Sequence, residues 1–287
     1  VKGASQGEGL GNQFLAHIRE CDAIAQVVRV FEDENVVHVH GYIDPLRDIE
    51  ILETELILAD LQTVQKRLQK AKSDVKSGDK EKIAYARLIE TIEKALGEGK
   101  KMIDIQLTDE EKIAIGDLHL LTAKSLLYIA NVSEKAVNNI DITELKKKIG
   151  LVESQNLIPI SAKIEEELGA LSEEEAEMFL HELGLRESGL NALIKIAYKT
   201  LGLLTYFTAG PKEVRAWTIH KGDKAPKAAG VIHGDFEKGF ICAEVIAYED
   251  YVACGGENGS KEKGKARVEG KDYLVQDGDI MHFRFNN

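Results

Sequence analysis

Two short stretches, "YIANVSE" and "IPISAK", place polar side chains at the ends of apolar runs. In the first, Asn131 is followed three residues later by the carboxylate of Glu134; in the second, Ser161, Ala162 and Lys163 close the run. Open α/β sheets bind ligands just beyond the carboxyl ends of their strands, so both stretches are candidates for contacting a nucleotide base. A third stretch, "VKGASQGEGLGNQFL", leads Gly3, Gly7, Gly9 and Gly11 into a helical pattern. It is not by itself a phosphate cradle. A dinucleotide fingerprint needs a preceding strand and a third glycine where Asn12 stands, and Gly-Lys-Ser/Thr occurs nowhere in a strand-to-helix context.

The elements that must position these residues are legible from periodicity. The helix after the glycines is followed by a β-branched run, residues 21–31, that reads as a buried parallel strand. Asp44 and Pro45 then supply an N-cap and first-turn proline for a long helix. Its apolar seam, Ile57, Leu61, Val64, Leu68, Ala71 and Val75, alternates spacings of four and three, and Tyr85, Leu88, Ile92 and Ala95 resume it after "KSGDK". An antiparallel coiled-coil hairpin is expected. Seven basic residues against three acidic ones between positions 66 and 82 make its tip basic. Thr108 and Glu111 form a capping box before the α/β pattern returns. Between positions 160 and 190 nine acidic residues face two basic ones, the composition of a solvated helix face. From Leu204 onward short strands with Gly and Asp turns and one helical segment indicate a small mixed β domain.

A net charge of -12 argues against a protein that coats nucleic acid with its whole surface, and no DNA partner is expected. Local basic patches remain as candidate RNA contacts: Lys66, Arg67 and Lys70 on the hairpin, and Lys261, Lys263, Lys265 and Arg267 near the C-terminus. Trp217, Phe236 and Phe240 are assigned to core packing rather than base stacking. Cys21, Cys242 and Cys254 have no metal-ligand spacing and are read as small buried apolar residues. No apolar run approaches the ~18 residues of a membrane span, and no signal-peptide pattern opens the chain. A cytoplasmic protein with no membrane partner is expected.

In P-loop GTPases, Asn-Lys-x-Asp and Ser-Ala-Lys stand at the ends of the last two core strands. Here Val132 replaces the lysine and Glu134 the aspartate, so guanine loses its matched acceptor and the stem that covers its ring. Adenine is the better expectation. The chain closely resembles the YchF branch of the Obg-like ATPases over essentially its whole length. The matching stretches are the opening glycine segment, similar to the family's switch II; "NVSE"; and "KEVRAWTIHKGDKAPKAAGVIHGDFEKGFI", similar to its TGS domain.

This resemblance implies a partial Ras-like P-loop NTPase domain of α/β class, with a coiled-coil insertion and a C-terminal β-grasp (TGS) domain. The expected division is 1–44 and 116–202 for the NTPase domain, 45–115 for the insertion and 203–287 for the TGS domain. It also implies ATP hydrolysis, association with ribosomes or ribosomal RNA, and a part in translation or stress responses. His38 takes the position that orients the attacking water, and Gly3, Gly7, Gly9 and Gly11 give switch II its freedom. Asn131, Val132 and Glu134 contact adenine beside Ser161, Ala162 and Lys163. The family's phosphate loop, switch I and Mg²⁺ ligands are expected upstream of Val1, with no metal site in this chain. A ribosome- or RNA-binding adaptor without catalysis is the competing expectation.

Overall fold

The computed structural model describes residues 10–32, 43–75, 78–210 and 213–286. His38, Gly3, Gly7 and Gly9 lie outside them. The chain divides into two compact units, Val1–Ala197 and Tyr198–Asn287.

The first unit is built on a parallel sheet in the order β1-β2-β3, formed by Ala23–Arg29, Ser125–Asn131 and Asn156–Ile160. Helix α1, Leu10–Glu20, precedes β1. Alternation along β1 turns Gln26 and Val28 inward, where Val28 packs with Ile49 and Tyr128. The same alternation leaves Val27 64% exposed, so β1 is buried on one face rather than on both as its composition suggests.

Between β1 and β2 the chain makes a helical hairpin of α2, Pro45–Asp74, and α3, Lys80–Gly97. Asp44 caps α2 by accepting from the Arg47 N–H, and Pro45 occupies the first turn. Gly78, at a φ of +73°, and the N-cap Asp79 turn the chain into α3. The helices run antiparallel, with Gln65 bonded to Glu93 and Lys72 paired with Glu90. On α2 the buried seam includes Val64, Leu68 and Ala71, as its spacing indicates. On α3 it runs through Ala86, Ile89, Ile92 and Leu96, so the register is offset from the sequence reading, and Tyr85 and Leu88 flank the core. The reason is a broader core: Met102, Ile115, Leu118 and Leu120, from the connection back to the sheet, also press on the hairpin. That connection contains α4, Asp109–Ile115, whose Thr108–Glu111 capping box is formed.

After β2 come α5, Ile142–Lys148, then β3 and three helices: α6, Ala162–Leu168; α7, Glu173–Glu182; and α8, Gly189–Leu201. Helix α8 covers one sheet face, placing Ala192, Leu193 and Ile196 on Ile129, Ile158 and Ile160.

The second unit is a five-stranded sheet in the order β5-β4-β8-β6-β7. Its strands are β4, Leu203–Ala209; β5, Val214–His220; β6, Phe240–Ala247; β7, Arg267–Glu269; and β8, Asp279–Phe285. Helices α9, Ala225–Ile232, and α10, Gly234–Lys238, follow β5, and α11, Tyr248–Ala253, and α12, Glu257–Glu262, follow β6. The core gathers Tyr206, Ile219, Ala228, Phe240, Val245, Met281 and Phe283, with Trp217 and Phe236 packed against it. All three aromatics assigned to packing therefore do pack. The cysteine reading needs correcting: Cys21 is exposed at the end of α1, and Cys242 and Cys254 are only half-buried. Cys21 and Cys254 lie at helix ends and Cys242 within β6, and none belongs to a core cluster.

Lys261 and Arg284 both bond the Glu244 carboxylate and hold it below its usual pKa. A depressed folded-state value means stability that is present above the unfolded pKa of about 4.3 and lost as pH falls through the lowered value. Trp217, the single tryptophan, reports on this unit. Acidification from about pH 6 to about pH 3 should lower the Trp217-monitored melting temperature more in the wild type than in Glu244→Gln. Equal acid sensitivity in the two proteins would contradict the assignment.

Candidate nucleotide-base site

The parallel register brings the two polar stretches together. Asn131 ends β2 directly opposite Ile160, the last residue of β3, and the Val132 N–H continues the ladder by donating to the Ile160 carbonyl at 2.9 Å. Because β2 and β3 run the same way, both chains leave the sheet at its carboxyl edge. There the Asn131 Oδ1 accepts from the Ala162 N–H at 3.1 Å, tying the first stretch to the second. Lys163 Nζ reaches across to Glu134 Oε2 at 2.9 Å. Ser161, the N-cap residue of α6, is buried beneath this crossing. The structure thus unites Asn131, Val132, Glu134, Ser161, Ala162 and Lys163.

Two features of the arrangement decide what it can bind. The Val132 side chain is 3% exposed and packs into the cluster of Val28, Tyr128, Ile149 and Leu151. It cannot lie along a purine face as a lysine stem would. Glu134, meanwhile, presents its carboxylate to Lys163, with both groups exposed. Its carboxylate is not an unshared two-oxygen acceptor.

Glu165 supports the site from behind. Its two oxygens accept from the Gly189 and Leu190 N–H groups at 2.7 and 3.2 Å, fixing the start of α8 against α6. Gly189 is required by that approach, since a Cβ there would lie 2.9 Å from Ile160 and 3.0 Å from the Glu165 carboxylate. Sequence reading placed Glu165 among the acids of a solvated face; nothing in its spacing distinguishes it from Glu166 or Glu167.

Other candidates are not brought here. Gly11 lies in the first turn of α1. Lys66 and Lys70 are exposed on α2, whereas Arg67 is committed to Tyr85 Oη at 2.9 Å and Asp117 at 2.7 Å. Of the four cations named near the C-terminus, three stand beside acids: Lys261 with Glu244 and Glu257, Lys265 with Asp250, and Arg267 with Glu269. That cluster is locally balanced rather than a bare basic patch. Among the described residues no group of three or more His, Cys, Asp or Glu could hold a metal ion, and no helix is long and apolar enough to cross a membrane.

Comparison with known proteins bears on the whole chain. A protein of Bacillus subtilis (strain 168) named "Ribosome-binding ATPase YchF" is 52% identical over 289 residues, spanning all of this chain and 79% of the relative. The chain belongs to the YchF family. The Escherichia coli O157:H7 protein of the same name is 49% identical with the same coverage. Residues 203–286 match the YchF C-terminal family model, described as a protein of unknown function. A solved structure, the Schizosaccharomyces pombe YchF GTPase, superposes with a TM-score of 0.82 at 39% identity, covering 99% of this chain and 78% of that one. The α/β class with a YchF-type C-terminal domain is therefore established. The names of these YchF relatives differ on the nucleotide, the Bacillus subtilis protein being called an ATPase and the Schizosaccharomyces pombe protein a GTPase.

Proposed function

We propose that the protein binds and hydrolyses ATP in preference to GTP and works on the ribosome. The single observation that carries the base preference is the pairing at the sheet edge, with Val132 turned into the core and Glu134 engaged by Lys163. Guanine presents N1–H and an exocyclic amine that need an unshared carboxylate, and an O6 that needs a donor. The N–H groups of Val132 and Ala162 are already bonded to Ile160 and Asn131. What Val132 has left to offer a base is its carbonyl oxygen, which suits adenine's amine and repels guanine O6.

Hydrolysis requires a phosphate cradle and Mg²⁺, whose chemistry is to neutralise charge developing on the transferred phosphoryl group. We place the cradle and the ligands upstream of Val1, and His38 as the residue that orients the attacking water. The chain's own described residues bind and orient the base.

Ribosome association is supported by the relatives' names and by exposed Lys66 and Lys70 on the hairpin, which suit phosphate contacts. Glu134→Asp, which draws the carboxylate back from Lys163 and leaves the buried Val132 in place, tests the base assignment. This variant of the full-length protein should shift the ATP-to-GTP affinity ratio toward GTP by about tenfold, the worth of one pairing. An unchanged ratio in isothermal titration would contradict the assignment. No nucleotide binding by the wild type would favour a non-catalytic adaptor instead.

A further inference from the structure

A cavity of 610 Å³ lies at the amino ends of β1 and β2, against the connection that leads from the hairpin back to the sheet. Asp22, just before β1, and Ser125, the first residue of β2, contribute to its wall. The seven residues of β2 separate it from the base site by about 20 Å of extended strand, so a small ligand here leaves the base site untouched. Its floor is apolar. Met102, Ile115 and Leu120 are buried members of the core at the hairpin root, and Ile105 and Leu107 are partly buried against it. A cavity of this size walled by aliphatic side chains suits a ligand with an apolar body.

Two polar residues of the wall say what else that ligand carries. The ammonium of Lys124 donates to the Arg19 carbonyl at 2.8 Å and to the Cys21 carbonyl. Two of its three protons are thus spent on neutral acceptors, and among the described residues no carboxylate pairs with the charge. A cation held in place but not neutralised calls for an anion. His119 is the one non-glycine residue with a positive φ, +46°, among the described residues. Its N–H donates to the Gly116 carbonyl and its carbonyl accepts from Arg19, so its neighbours hold the backbone in the left-handed region. Glycine would take that conformation without strain, whereas histidine adds an imidazole to the cavity wall. That ring has no partner among the described residues. The other cation, Lys112, is already paired with Asp109 at 3.0 Å, and Asp22 adds a negative charge to the wall. The balance leaves room for one anionic charge rather than two.

We propose that this cavity binds a small amphipathic monocarboxylate, its carboxylate on Lys124 and His119 and its apolar body against Met102, Ile105, Leu107 and Ile115. A dianion such as a phosphate monoester meets Asp22 unfavourably, and an organic cation meets Lys124.

Isothermal titration of the full-length protein with sodium octanoate tests this, with octan-1-ol as the uncharged match and butanoate as the short one. Octanoate should bind at one site. Octan-1-ol should bind about tenfold more weakly for want of the charge-assisted hydrogen bonds, and butanoate should lose about twofold or more for each methylene removed. Lys124→Gln keeps an N–H donor for the two carbonyls but not the charge; it should weaken octanoate by about tenfold and leave octan-1-ol unchanged. Ala123→Phe, at an exposed position of the wall, should exclude both ligands by filling the cavity. His119→Asn, whose side chain tolerates the same backbone but reaches less far, should keep the melting temperature and weaken octanoate by about threefold. If Lys124→Gln does not fold, octan-1-ol and Ala123→Phe decide. No saturable octanoate binding, octan-1-ol binding as tightly as octanoate, or an unchanged octanoate affinity in any of the three folded variants would overturn the proposal.

Discussion

Asp60→Ala is expected to lower the unfolding free energy of the first unit by about 3–5 kcal/mol, the usual cost of removing one member of a buried ionic network. The carboxylate satisfies two backbone N–H groups and one hydroxyl, and no water-exposed surface is near enough to replace it at 0% exposure. Each buried donor left unpaired costs about 1–3 kcal/mol. Burial pushes the Asp60 pKa up, and the donors from Thr122 and Leu121, with the Arg19 charge, pull it back. The group is thus expensive to bury and more expensive to delete. Asp60→Asn keeps the shape but turns an N–H₂ toward donors, so it should recover only part of the loss. Urea melts followed by circular dichroism measure both; a cost below about 1 kcal/mol for the alanine variant would show the network to be slack.

The second large effect is expected at Asn131. Its Oδ1 holds the Ala162 N–H and so sets the spacing between the two loops of the proposed base site. Asn131→Ala frees that N–H at an exposed position, where water replaces the partner, and stability should change little. Affinity should not be spared. Losing one direct contact and the register of the Ala162–Lys163 turn is worth about 1.4–3 kcal/mol, or about ten- to a hundredfold in the dissociation constant for ATP. Isothermal titration of the full-length variant checks this, and an unchanged dissociation constant would remove Asn131 from the base site.

How far the sequence could be read follows the range of the interactions involved. The caps at Asp44 and Thr108 and the α2 seam were legible because each depends on residues within one or two helical turns. The α3 register was not, because the connection carrying Met102, Ile115 and Leu118 supplies part of its core. The convergence of Asn131 and Ser161 was legible only because two apolar runs end in polar motifs; no local rule shows that Lys163 would meet Glu134. Arg19 and Asp60 left a fainter signal, an acid at a seam-adjacent position of α2 and an arginine in the last turn of α1. Their meeting spans 41 residues of chain, and periodicity carries nothing at that range. The C-terminal lysines read as a bare basic patch because their acidic partners Glu244 and Asp250 come from β6 and α11.

Parallel titration of the full-length protein with ATP and GTP, in the presence of Mg²⁺, tests the central claim most directly. With Val132 buried and Glu134 held by Lys163, ATP should bind at least about tenfold more tightly than GTP, one unmatched buried pairing being worth that much. Equal affinities, or GTP the tighter ligand, would contradict the reading of this sheet edge as an adenine site.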